Sequence, residues 1–145
     1  MAVKGAVNQV LVKLFRVIND LEEGTICKGK FSNVTINEIH VIEAIGAEDS
    51  KNMSTVARAL GVTTGTLTIS VNSLVKKGLV DRCRSEEDRR VVLVSLTDLG
   101  KEAYRRHNRF HEKMVTEVTE NLTDEEAEVL LKALTKLNNF FEAQK

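Results

Sequence analysis

The chain has 145 residues, 42% of them hydrophobic and 29% charged, which suits one folded domain with its own core. Two cysteines, Cys27 and Cys83, exclude a disulfide-stapled scaffold and fit a reducing, cytoplasmic setting. Its 21 basic residues balance 21 acidic ones, which excludes a uniformly basic nucleic-acid-binding surface.

No apolar run opens the chain as a signal peptide would. The longest uncharged stretch, 59–75, is too rich in Thr and Ser to enter a membrane. The charges are unevenly spread. Residues 1–50 hold 5 basic and 7 acidic groups, residues 51–90 hold 8 and 4, and residues 91–145 hold 8 and 10. The basic excess lies in the middle third, where a phosphate-contacting surface would use it.

In chain order, Val7, Val10, Leu11, Leu14, Phe15, Ile18 and Leu21 recur every three or four residues. They predict one amphipathic helix over about 4–26, punctuated by Gly24 and Gly29. Thr35 and Glu38 form a capping box for a helix through Ile36, Ile39, Ile42 and Ile45, stopped at Gly46. A short helix then begins at Asn52 or Ser54, buries Val56, Ala57 and Leu60, and breaks at Gly61. Thr63 or Thr64 caps the next helix, which buries Leu67, Val71, Leu74 and Val75 and ends at Gly78. Two helices joined by a tight glycine turn form a helix-turn-helix.

The period then shortens. LVDRC (79–83) and VVLVS (91–95) are β-rich and flank the charged segment RSEEDRR, which predicts a hairpin, or wing. Cys83 alternates with Arg82 and Arg84 and is expected to face the core. Helical spacing resumes at Thr97 through Leu99, Ala103, Tyr104, Phe110, Met114 and Val118. A second capping box, Thr123 and Glu126, opens a final helix with Ala127, Leu130, Leu131, Leu134, Leu137 and Phe141 on one stripe.

The expected fold is mainly α with a small β-hairpin. Residues 1–34 form an N-terminal dimerisation helix and linker, 35–100 a winged helix-turn-helix with its wing at 84–91, and 101–145 C-terminal dimerisation helices. The outer helices carry more apolar surface than so small a winged domain can cover, and a homodimer would bury it.

In such a domain the second helix of the pair enters the major groove. Turning Leu67, Val71 and Leu74 inward puts Gly65, Thr68, Ile69, Asn72 and Lys76 outward, with Thr66 and Ser73 at the margin. Asn72 suits bidentate pairing with adenine, and threonine suits base edges or a thymine methyl. Thr63 and Thr64 lie at the helix N-terminus, where free N–H groups suit a phosphate. In the wing, Arg82 and Arg84, which share one strand face, and Arg89 and Arg90 near the tip supply cations; one carried at the tip can enter a narrow minor groove, and Asp88 would orient it.

The run Asp88-Arg89-Arg90, VVLVS, Leu96-Thr97 resembles the wing signature of MarR regulators, and LGVTTGTLTISVNSLVKKGLVDR resembles their recognition helix and its exit. This resemblance covers about residues 35–101. It implies a homodimer on a pseudo-palindromic DNA operator, with an effector pocket between the DNA-binding and dimerisation parts. Family members often carry arginines where this chain has Ile69 and Ser73, which points to an unusual, A·T-rich operator. Segments 36–46, 84–92 and 105–115 are similar to the branch that represses fatty-acid biosynthesis genes, for which acyl-acyl carrier protein is the corepressor. Phe15, Ile18, His40, His107, Phe110 and His111 are the candidate effector-pocket residues on that resemblance.

His107 and His111, four apart on one helix, also have a chelating spacing; His40 can join them, and Glu22, Glu23 or Cys27 can complete a site. A zinc-sensing branch uses histidines in a similar way, although hydrogen-bonded histidines without metal are commoner. Cys27, near Lys28 and Lys30, is a candidate peroxide-sensing thiol. A regulator of efflux or stress genes responding to small phenolic ligands is a further alternative, as is a winged helix used only for protein contacts. No nucleophile motif, phosphate-cradling loop or carboxylate pair occurs, so no catalytic residue, cofactor or enzymatic activity is expected.

Overall fold

The structure is a computed structural model describing residues 2–145. Six helices and three short strands follow in order: α1 (Ala2–Ile26), α2 (Ile36–Ile45), β1 (Lys51–Asn52), α3 (Met53–Leu60), α4 (Thr64–Lys76), β2 (Val80–Arg84), β3 (Val92–Leu96), α5 (Asp98–Glu120) and α6 (Asp124–Glu142). The chain divides into two compact units, residues 2–110 and 111–145, with the boundary inside α5. Among the described residues no helix is long and apolar enough to cross a membrane.

The expected winged helix is present in the first unit. The Thr35–Glu38 capping box opens α2, with Glu38 N–H donating to Thr35 Oγ1 (3.2 Å) and Thr35 N–H to Glu38 Oε2 (2.9 Å). Asn52 caps α3 and Thr63 caps α4, each accepting from a backbone N–H three residues on. Between α3 and α4, Gly61 takes φ 68°, a left-handed conformation that lets the chain turn within three residues. Ile39, Ile42, Ile45, Val56, Leu67, Val71 and Leu74 are buried together, joined by Leu79, Val80, Val94 and Leu96 from the hairpin. Each of these is worth about 1.5–3 kcal/mol of side-chain burial, so the helix pair and the sheet share one core.

The sheet has the order β1–β3–β2, antiparallel throughout. Arg82 stands opposite Val94, and Arg84 opposite Val92. The hairpin starts α5 directly, because Thr97 Oγ1 donates to Gly78 O (2.6 Å) and accepts from Gly100 N–H (3.1 Å). Gly100 is obligatory there: a Cβ would meet Leu79 O at 2.0 Å.

Three features differ from the sequence reading. Strand β1 has two exposed polar residues and no alternation to betray it; pairing with β3 alone makes it a strand. A 3-10 turn at Gly29–Phe31 buries Phe31 completely, under the Arg106 guanidinium 4.9 Å from its ring centre. Cys83 is exposed rather than core-facing, because β2 leaves the core after Val80 and its next four residues are all exposed.

The stripe on α1 is largely uncovered, with Phe15 62% exposed; only Glu22 and Ile26 of that helix are buried. In the second unit α6 buries none of its residues, and Leu131 is 68% exposed.

Candidate nucleic-acid interface

Helix α4 turns Leu67, Val71 and Leu74 into the core and leaves Gly65, Thr68, Ile69, Asn72 and Lys76 exposed, as its sequence predicts; Thr66, expected at the margin, is exposed as well. Thr63 and Thr64 are exposed at its start. The Thr63 hydroxyl accepts from Thr66 N–H (3.1 Å) and donates to Thr66 Oγ1 (3.0 Å), while Thr68 donates to Thr64 O (2.7 Å). Ile69 is 73% exposed, an apolar contact of the size a thymine methyl would meet.

Ser73 is turned elsewhere. Its hydroxyl donates to Glu38 Oε1 (2.5 Å), and Lys77 donates to Glu38 Oε2 (2.7 Å). Glu38 is buried, and with the Thr35 N–H it collects three hydrogen bonds besides its own helix bond. Burial pushes the carboxyl up, but the bonds from Lys77, Ser73 and Thr35 outweigh that and hold it below its usual 4.5. One carboxylate of α2 therefore fixes the far end of α4. Because the folded value lies below the unfolded one, this contribution is complete above the ordinary glutamate range and lost as pH falls through the lower folded value. Glu38→Gln is thus expected to cost roughly 1–3 kcal/mol near neutral pH. The gap from wild type should close in acid, read by denaturant unfolding at both pH values.

The wing is fixed by its own bonds. Ser85 N–H donates to Val91 O (2.9 Å), Val91 N–H to Asp88 O (2.9 Å), and Arg84 Nη1 to Arg89 O (2.8 Å). Asp88 Oδ1 accepts from Arg90 N–H (3.0 Å) and Nε (3.1 Å), and Oδ2 accepts from Arg90 Nη2 (3.3 Å). These bonds from Arg90 hold the Asp88 carboxyl below its ordinary value. Arg90 is oriented although its side chain is 91% exposed, and Arg89 is exposed beside it. Between α4 and the wing lies a groove of about 490 Å³ bordered by Met53, Thr68, Arg82, Cys83, Arg84 and Val92. Its cationic edges, Arg82 and Arg84, suit a DNA strand.

Sequence reasoning placed Arg82 on the same strand face as Arg84, as one of the wing cations, with no partner on α4. In the fold its Nη1 donates to Asn72 Oδ1, across from β2 to α4. The signal was the strand alternation; what hid it was the long-range approach of strand to helix.

The candidate effector residues fall out differently. His107 is buried, and its Nε2 lies 2.7 Å from Glu22 Oε1. His40 is half-buried, with Nε2 3.5 Å from the same oxygen and its ring edge-on to that of His107. Phe110 packs against the core, Ile18 is half-buried and Phe15 is exposed. His111, half-buried, follows one turn later on α5, in the second unit. Cys27 departs from the redox reading. Burial, then Glu23, Glu22 and Glu38, push its thiol up, the opposite of what makes a reactive thiolate. Lys30 pairs with Glu102 (2.5 Å) instead of activating the thiol.

Residues 32–91 match the MarR family. The fold is similar to that in a crystal structure of Streptococcus pneumoniae FabT in complex with DNA. The TM-score is 0.92 and the identity 38%, covering 98% of this chain and 99% of that one. Transcriptional regulator ZitR of Lactococcus lactis is 31% identical over 115 residues, which are 76% of this chain and 79% of ZitR. The Bacillus subtilis regulator YdgJ is 25% identical over 108 residues, which are 74% of this chain and 66% of YdgJ; this chain thus spans just under two thirds of that relative. With that family match, the identity to ZitR and the shared fold, the chain belongs to the MarR family of transcriptional regulators.

Proposed function

We propose that the protein is a dimeric, sequence-specific DNA-binding repressor of fatty-acid biosynthesis genes, with acyl-acyl carrier protein as its corepressor. The observation that carries the DNA-binding part is the pairing of a solvent-facing helix α4 with a wing whose Arg90 is held outward by Asp88. Recognition helices would enter successive major grooves and wings the flanking minor grooves, with half-sites about 10–10.5 base pairs apart. The FabT structure, similar over nearly the whole chain and itself bound to DNA, supports the same reading.

The fatty-acid assignment rests on that similarity and on segments 36–46, 84–92 and 105–115. Helix α2 suits the coupling of an effector to DNA, since it carries both His40 beside Glu22 and Glu38 on the end of α4. Long-chain acyl-acyl carrier protein is expected to tighten operator binding at least about fivefold, the low end of allosteric coupling. Fluorescence anisotropy on an operator duplex, with unacylated carrier protein as control, measures it. Equal affinity with both carrier proteins would remove the corepressor.

A metal-sensing second reading is favoured by one observation, the convergence of His107 and His40 on the buried Glu22 carboxylate. Imidazoles and a carboxylate are donors that zinc takes. Zinc titrated into the same anisotropy assay separates the readings, because tightening by zinc alone assigns the effector to this cluster.

A further inference from the structure

The outward face of α4 carries no arginine, yet a guanidinium reaches it from the neighbouring strand. Arg82 extends from β2, is exposed, and donates through Nη1 to Asn72 Oδ1 on α4. Asn72 lies three and four residues beyond Ile69 and Thr68, on the same exposed face.

The orientation of the amide follows from chemistry. A guanidinium has donors and no acceptor, so the oxygen of Asn72 must face Arg82 and its NH2 must face away. An asparagine that reads adenine in bidentate fashion needs its oxygen to accept from adenine N6 and its NH2 to donate to N7. The Arg82 bond takes one of the two lone pairs of the oxygen and turns it toward the strand, so the groups left to face outward are mainly donors: the Asn72 NH2 and the remaining Arg82 N–H groups. A donor-rich surface fits best a base edge made only of acceptors. In the major groove that edge is guanine O6 and N7, whereas adenine N6 would meet donor against donor.

We propose that Asn72 and Arg82 form a composite reading element that selects guanine at one position of each half-site, Arg82 supplying from the wing strand the arginine that the helix lacks. This rests on the reading of α4 as the recognition helix. It revises the adenine pairing expected of Asn72 alone and places one G·C pair in an otherwise A·T-tolerant site. Arg82 is specificity-determining, and Asn72 both reads and positions it. Lysine cannot replace Arg82, because a single ammonium lacks the planar fork that can hold the amide and present paired donors together.

The test selects duplexes from a randomised pool with the full-length wild-type protein, then measures affinities of wild type, Arg82→Ala, Arg82→Lys and Asn72→Ala. The probes are the selected duplex and its symmetric G·C→A·T variants. Wild type should favour guanine at one position per half-site by roughly tenfold or more. Arg82→Ala and Asn72→Ala should bring that ratio near one, and Arg82→Lys should fail to restore it. Thermal melting of each variant separates loss of reading from loss of fold, and Asn72→Ala carries the test if Arg82→Ala unfolds.

Three results overturn the inference alone. Wild type could select adenine at the position Asn72 controls. Arg82→Ala could weaken all sequences equally with a shallower salt slope, the mark of a phosphate contact. Both alanine variants could leave the guanine preference intact. A wild-type protein that enriches no sequence overturns the repressor reading as well.

Discussion

Arg90→Ala is expected to weaken operator binding by no less than about twentyfold while leaving the melting temperature unchanged. An arginine seated in a groove is worth about 1–3 kcal/mol. A dimer would place two of them, so the loss is about 2–6 kcal/mol, where 1.4 kcal/mol is tenfold in Kd. The side chain is 91% exposed and, among the described residues, bonds within its own wing, so its removal takes nothing from the core. The narrow minor groove of A·T-rich DNA has an enhanced negative potential. The loss should therefore be largest on duplexes with A·T-rich flanks and smaller when those flanks are G·C-rich. Asp88→Asn provides the graded companion. It keeps the guanidinium but weakens the carboxylate that accepts from Arg90 N–H, Nε and Nη2, so it should lose part of the Arg90 effect. Anisotropy titrations on the two flank series measure both variants. Unchanged affinity for Arg90→Ala would remove the wing from the interface.

The parts of this fold legible in the sequence are those governed by local rules. Thr35 with Glu38 and Thr123 with Glu126 form the capping boxes their spacing predicts, because both partners of such a box lie within one turn. The inward set Leu67, Val71 and Leu74 follows from helical period alone. What escaped the sequence depends on elements meeting from a distance. Glu38 reads as a cap, and its second task, on Ser73 and Lys77, is set 35 and 39 residues away. Arg82 reads as one of several wing cations until β2 brings it to Asn72. Cys83 reads as buried by alternation, but alternation predicts burial only while the strand lies over a core, and β2 runs past it. For the histidines, spacing identified a face of α5, whereas the burial of Glu22 beside His107 needed the fold.

On the dimeric reading proposed above, Leu134→Glu is expected to convert the protein from dimer to monomer and to abolish high-affinity operator binding, the largest effect of any single change considered. Helix α6 buries none of its residues, and Leu130, Leu131, Leu134 and Phe141 lie exposed along one stripe. On α1, Val7, Val10, Leu14 and Phe15 are exposed at the same spacing. Exposed apolar surface on this scale marks an interface, and burying each such side chain stabilises by about 1.5–3 kcal/mol. In a two-fold interface every substitution enters twice, so Leu134→Glu removes two apolar contacts and inserts two carboxylates. An unpaired buried charge costs several kcal/mol, and each 1.4 kcal/mol shifts the association tenfold toward monomer. Operator affinity should then fall to that of single half-site binding, since one protomer supplies one recognition helix and one wing. Lys132→Glu changes charge on the same helix away from the stripe and should leave the dimer intact. Sedimentation velocity reads the mass, circular dichroism reads helix content, and anisotropy reads the operator. A Leu134→Glu protein that still sediments as a dimer would show that some other surface joins the two copies.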